Sequence, residues 1–304
     1  MYHLLTTRYG YDPRNIVMLN EKSSNRDFWP TKRNILTAAN WLVSNVQYGD
    51  SLVFMFSGHG GQKRDRTGRE FDGKCETILP LDHRQAGQIV DTELFNYLVR
   101  PLPSGSRLHM ICDSCHSGTI LDLNYMHTPP KHWNGPRAGR WEQINNFGIA
   151  GEAFLISGCR DDQCSVTTSK LSGGETTTGA MLYSFVQAVE TNRANTYAEL
   201  LFTMRSIIDG SLSRNHFHYN THLDDDHIDY HSTHYNGTLA TAAAIGLAAA
   251  VAGAIGGVGL AKASRATGGQ RRFRRPAGFL GGSKTQIPQL SSAHMFDLNQ
   301  RFSL

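Results

Sequence analysis

Two short apolar runs constrain this chain more than any other feature. Residues 52–56 (Leu-Val-Phe-Met-Phe) and 108–112 (Leu-His-Met-Ile-Cys) are almost continuously apolar rather than alternating. Strands of that kind belong inside a sheet that is covered on both faces. Each run ends abruptly in small and polar residues. The first meets Ser57-Gly58-His59-Gly60-Gly61, the second Asp113-Ser114-Cys115-His116-Ser117-Gly118. Open α/β sheets gather their chemistry at the carboxyl ends of the strands.

The rest of the chain supplies the other layers. Residues 16–19 (Ile-Val-Met-Leu), 77–81 and 153–157 read as further strands. Pro30 and Thr31 open a helix that places Ile35, Ala39, Leu42 and Val46 on one face. Asp91 starts another, with Leu94, Phe95, Leu98 and Val99 ahead of Pro101, which stops it. Two more are predicted near 179–191 and 196–208, each with an apolar stripe. Strands alternating with amphipathic helices predict an α/β fold with helices on both sides of a sheet.

A length of 304 residues is enough for one or two domains. The charge is unevenly spread. The net +4 arises because residues 238–304 hold eight Lys or Arg and one acid, Asp297, whereas residues 1–237 are mildly acidic. A basic character confined to one late segment argues against specific nucleic-acid binding. Five scattered cysteines do not make a disulfide scaffold. The opening residues show neither a basic n-region nor an apolar h-region, so a reducing, cytoplasmic setting is expected.

The two strand ends bring together a thiol and an imidazole. A thiolate becomes a strong nucleophile when a neighbour lowers its pKa or takes its proton. Cys115 and His59 would meet if their strands were parallel neighbours. The N–H groups of Gly60 and Cys115 would then be placed to hold a developing oxyanion. Spacing alone leaves open the alternative of a buried cysteine and an unrelated loop histidine.

Three stretches together resemble the type I metacaspases. They are Ser57-Gly58-His59-Gly60-Gly61-Gln62, then Asp72-Gly73 with Glu76-Thr77-Ile78-Leu79-Pro80-Leu81-Asp82, and Asp113-Ser114-Cys115-His116-Ser117-Gly118-Thr119. The likeness continues through residues 157–163, 178–181, 288–292 and 296–298. It implies a caspase-like three-layer α/β/α sandwich with a mostly parallel central sheet, formed by residues 1–211 and 286–304. It also implies a cysteine endopeptidase cleaving after Arg or Lys, with Cys115 as nucleophile and His59 as base. Asp113 and Ser57 match positions that line the pocket for the basic side chain; a carboxylate there would select a cation. A strand-end cap is the competing role for Asp113. No cofactor is required, the partners are peptide or protein substrates, and a monomer is expected.

The resemblance has gaps. It implies a strand and an Asn-Asp loop ahead of residue 1, and a missing strand exposes a sheet edge. Of four aspartates that would bind calcium, only Asp91 and Asp122 have counterparts; Cys75 and Thr92 stand at the other two. Calcium prefers several hard oxygen ligands, so weak or absent activation is expected.

Residues 212–285 read as an insertion. It opens with six His among Asp224, Asp225, Asp226 and Asp229, without fixed ligand spacing. Residues 238–261 are 24 uncharged residues, long enough to span a membrane. Their five Gly, and a topology that would strand residues 286–304 on the far side, favour a flexible or surface-associated loop. Lys170, in the Ser/Thr/Gly-rich stretch 165–178, is the expected site of self-cleavage. Two competing classes remain: Cys112-Asp113-Ser114-Cys115 as a redox pair, or as half of a zinc site with Cys159 and Cys164, and a non-catalytic homologue that acts by binding.

Overall fold

A computed structural model describes residues 1–66, 68, 73–128, 139–158, 167–168, 178–209 and 286–304. Its strands are β1 (Ser51–Gly58), β2 (Gly60–Arg64), β3 (Lys74–Ile78), β4 (Ile89–Val90), β5 (Arg107–Ser114), β6 (Tyr125–Thr128), β7 (Arg140–Gln143), β8 (Glu152–Ser157), β9 (Thr167–Thr168), β10 (Thr178–Gly179) and β11 (Gln289–Ser292). The α-helices are α1 (Lys32–Val43), α2 (His83–Ala86), α3 (Asp91–Leu94), α4 (Ala180–Glu190) and α5 (Tyr197–Ile208).

Six strands form the central sheet in the order β1-β5-β8-β11-β6-β7. The first three are parallel neighbours, while β11 and β7 run against the other four. The two apolar runs are thus β1 and β5, side by side, with Phe56 opposite Cys112 and Ser57 opposite Asp113. Alternate residues face opposite cores. Phe54, Phe56, Leu108, Met110, Cys112 and Leu155 pack with Ile35 and Ala39 of α1. Met55, Ile111, Ile156 and Leu290 pack with α4 and α5. Helices cover both faces, so the sheet is the middle layer of an α/β/α sandwich.

Local signals explain the helices. Thr31 caps α1, its side chain accepting from the Asn34 N–H at 3.3 Å, and Ile35, Ala39 and Val43 are buried at helical spacing. Thr196 caps α5 in the same way through the Glu199 N–H at 3.1 Å. Met181, Leu182, Phe185 and Val189 of α4 and Tyr197, Leu200, Leu201 and Met204 of α5 are buried.

One expected strand is absent. Ile16 is extended, but residues 16–19 join no ladder. Ile16 packs in the core that holds Val53, and Val17 in the core that holds Leu52. The segment therefore contributes side chains to both cores. Among the described residues β1 is one edge strand of the sheet, and β7 is the other. Apolar patterning selects extended backbone, whereas a strand also needs a partner for its N–H and C=O groups. The weak strand expected at 77–81 lies slightly earlier, as β3.

Gln289–Ser292 build β11, which reaches the sheet from the far end of the chain and pairs antiparallel with β8. No helix among the described residues is long and apolar enough to cross a membrane. Residues 238–261, the histidine-rich stretch and Lys170 lie outside the described residues.

Candidate active site

A single residue, His59, separates β1 in the central sheet from β2 in a second, three-stranded sheet ordered β2-β3-β4. Its backbone is held from both sides, and its carbonyl accepts the Leu79 N–H at 3.0 Å. The imidazole is exposed to solvent. A side chain in this position is rigid at its root and accessible at its tip.

Cys115 follows β5 directly. The next residue, His116, has φ 52°, in the left-handed region that non-glycine residues rarely adopt. The chain therefore turns sharply after the sulfur-bearing residue, which is half-buried. Further hydrogen bonds brace the turn. The Ser117 hydroxyl donates to the Ser114 carbonyl at 2.8 Å, and the Ser291 hydroxyl of β11 donates to the Gly118 carbonyl at 3.2 Å.

The two loops touch through backbone. A β-carbon built at Gly60 would overlap the carbonyl oxygen of Cys115, and would lie 3.0 Å from the Ser114 hydroxyl. Only glycine permits that approach. Gly60 and Cys115, the pair expected to form an oxyanion hole, are thus in direct main-chain contact beside His59.

Ser57 and Asp113 are opposite one another across the β1–β5 ladder, and both are buried. Their strand parity points them to the α4 face. Asp113 Oδ2 accepts the Leu182 N–H at 2.9 Å, in the first turn of α4. A β-carbon at Gly179 would overlap the same carboxylate. Asp113 therefore satisfies an orphan donor at a helix N-terminus, where a negative charge is favoured. The structure thus gives Asp113 a contact at the N-terminus of α4, a helix remote in sequence, rather than a cap on its own strand end.

Residues 1–124 match the family model described as "Metacaspase, peptidase C14 domain". Metacaspase-2 of Arabidopsis thaliana is 44% identical over 221 residues, 71% of this chain and 52% of that protein. The chain belongs to the metacaspase family. Metacaspase-1 of Arabidopsis thaliana is 46% identical over 215 residues, covering 68% of this chain and 57% of that one. Metacaspase-1 of Schizosaccharomyces pombe is 36% identical over 255 residues, covering 70% and 59%. The metacaspase chain described here spans between half and three-fifths of the length of these curated relatives.

The calcium positions of this metacaspase do not fit the ion. Asp91 is fully buried and its oxygens are already engaged. Oδ1 accepts the Thr92 N–H at 2.6 Å and the Thr92 hydroxyl at 3.0 Å, and Oδ2 accepts the Glu76 N–H at 2.6 Å. Burial pushes the Asp91 carboxyl above the usual range, against the pull of those hydrogen bonds. Cys75 offers a soft sulfur where calcium needs a hard oxygen. No three His, Cys, Asp or Glu side chains converge on a metal position among the described residues. Asp122 is buried in a left-handed turn, φ 49°, and its N–H donates to the Thr119 carbonyl at 2.8 Å.

Cys112 is fully buried and faces the α1 core, with its sulfur 3.3 Å from the Ser114 hydroxyl. No disulfide joins Cys112 to Cys115. Cys159 and Cys164 lie outside the described residues. A cavity lined by His127, Trp141, Ala198 and Phe296 lies at β6 and β7, three strands from β5.

Sequence reasoning gave no role to Gln62, Glu76 or Thr119. Glu76 is 2% exposed. The available signal was a glutamate in mid-strand, next to the core-bound Thr77 and Ile78.

Proposed function

We propose that this metacaspase-family chain is a cysteine endopeptidase that cleaves after Arg or Lys. The carrying observation is the contact between the Gly60 backbone and the Cys115 carbonyl, which puts the His59 and Cys115 loops side by side. His59 takes the proton from the Cys115 thiol. The thiolate attacks the scissile carbonyl carbon, and main-chain N–H groups at Gly60 and Cys115 stabilise the oxyanion. The C–N bond breaks, His59 returns the proton to the departing amine, and water hydrolyses the thioester. Ser57 and Asp113 favour a cationic side chain on the substrate, Asp113 through its charge. Lys170 is the self-processing position, and the chain acts as a cytoplasmic monomer on peptide or protein substrates.

The test is cleavage of Arg-amide and Lys-amide peptides by the wild type, Cys115→Ala and His59→Ala. Cys115→Ala should fall to background, and His59→Ala should lose about 10³-fold in kcat. Intact-mass analysis should reveal a Cys115-dependent cut after Lys170. Peptides that stay whole under every condition would leave a binding protein in place of the peptidase.

A further inference from the structure

The contact at Gly60 explains how close the two loops come but not what holds them in register. That role falls to a buried carboxylate on β3. Glu76 lies opposite Gln62 in the β2–β3 ladder. Its Oε1 accepts from Gln62 Nε2 at 3.0 Å, and its Oε2 accepts from the Thr119 hydroxyl at 2.9 Å. Gln62 is three residues beyond His59, and Thr119 is four beyond Cys115. One side chain therefore grips both loops.

The grip is fixed at its root. The Glu76 N–H donates to Asp91 Oδ2 at 2.6 Å, and Asp91 is itself fully buried at the start of α3. Gln62 is oriented from its other end, where Lys74 Nζ donates to Oε1 at 3.3 Å. A buried carboxylate is costly unless its oxygens are satisfied, and its hydrogen bonds are directional and strong for that reason. An apolar residue would fill the same space but leave the Gln62 amide and the Thr119 hydroxyl without this acceptor.

We propose that Glu76 is a positioning residue that ties the His59 hairpin to the Cys115 turn and so sets the imidazole–thiol separation. The proposal rests on the peptidase reading above. A displacement of about 1 Å in such a pair can cost roughly 100-fold in rate.

The test has a readout that does not need turnover. Peptide-resolved alkylation of Cys115 by iodoacetamide, measured against pH, follows its thiolate. In the wild type the rise should lie well below the ordinary thiol midpoint of about 8.5. Glu76→Leu should move it up toward that value, as should His59→Ala, and lower kcat by roughly 100-fold with KM within about threefold. Thr119→Val should move both in the same direction by less. Gln62→Glu alone sets two carboxylates face to face and should be impaired. Gln62→Glu combined with Glu76→Gln rebuilds the pattern with the two groups exchanged. The amide now on β3 donates to the carboxylate now on β2 and accepts from Thr119. The pair should recover to within about threefold of the wild type.

A wild-type profile already at the ordinary midpoint, with no peptide cleaved, ends both the peptidase reading and this proposal. A low wild-type profile that a folded Glu76→Leu variant retains, with kcat within about twofold, overturns the positioning role alone. If Glu76→Leu does not fold, the paired exchange decides: recovery over Gln62→Glu supports the tie, and no recovery overturns it.

Discussion

The main chain of Gly60 lies against the carbonyl of Cys115, with no room for a β-carbon between them. Gly60→Ala should therefore push the His59 hairpin away from the Cys115 turn. Overpacking of this kind costs about 1–3 kcal/mol. We expect a folded protein with a lower Tm and a loss of roughly 10- to 100-fold in kcat/KM on Arg-amide peptides. An alanine variant with wild-type turnover would show that the contact does not set the site.

Asp113 has a structural bond to α4 and a proposed selective role, and two substitutions separate them. Asp113→Asn keeps an oxygen for the Leu182 N–H, so stability should fall by no more than about 1 kcal/mol. Preference for Arg and Lys over neutral residues should collapse with the charge. Asp113→Ala also strands the buried N–H and should cost about 1–3 kcal/mol. Urea unfolding and a substrate panel measure the two effects. Undiminished cation preference in Asp113→Asn would confine Asp113 to capping α4.

Two buried imidazoles set an acid limit on stability. Burial, with Arg107 nearby, lowers His109 to about 3, and burial with Arg205 nearby lowers His127 to about 4. Both lie below the ordinary value of about 6.5, so at acid pH the unfolded chain binds protons that the native state excludes. Their contribution is complete above about pH 6.5 and is lost as pH falls toward 4 and then 3. Each proton steepens the loss by up to about 1.4 kcal/mol per pH unit. Unfolding midpoints in urea should be lower at pH 5 than at pH 7.5, and His109→Gln should narrow the gap. An equal gap in that variant would remove His109 from the account.

Calcium should matter little. The two Asp91 oxygens are engaged by Thr92 and the Glu76 N–H, and Cys75 supplies sulfur in place of oxygen. Adding millimolar calcium, or removing it with a chelator, should change peptide cleavage by less than about twofold. A large activation would mean that Asp91 exchanges its hydrogen bonds for the ion.

Much of the fold was legible in the chain. The apolar runs before Ser57 and Asp113 marked β1 and β5, and the stripes through Phe185 and Leu201 marked α4 and α5. Periodicity reports which faces are buried, and burial dominates local choice in long, strongly patterned segments. Residues 16–19 carried the same kind of signal and made no strand, because pairing depends on a neighbour that a local pattern cannot specify. β11 was invisible for the matching reason: Gln289–Ser292 gains its ladder from β8 and β6, distant in sequence.

The sequence by itself determined that a thiol and an imidazole stand at the ends of two buried strands, flanked by glycines. Those are local facts of residue type and spacing. Tertiary structure alone decided how they are held: Gly60 seated on Cys115, Asp113 spent on α4, Asp91 spent on Thr92 and Glu76, and Glu76 gripping both loops. Hydrogen bonds are short and directional, so their partners are fixed only when the whole sheet is in register.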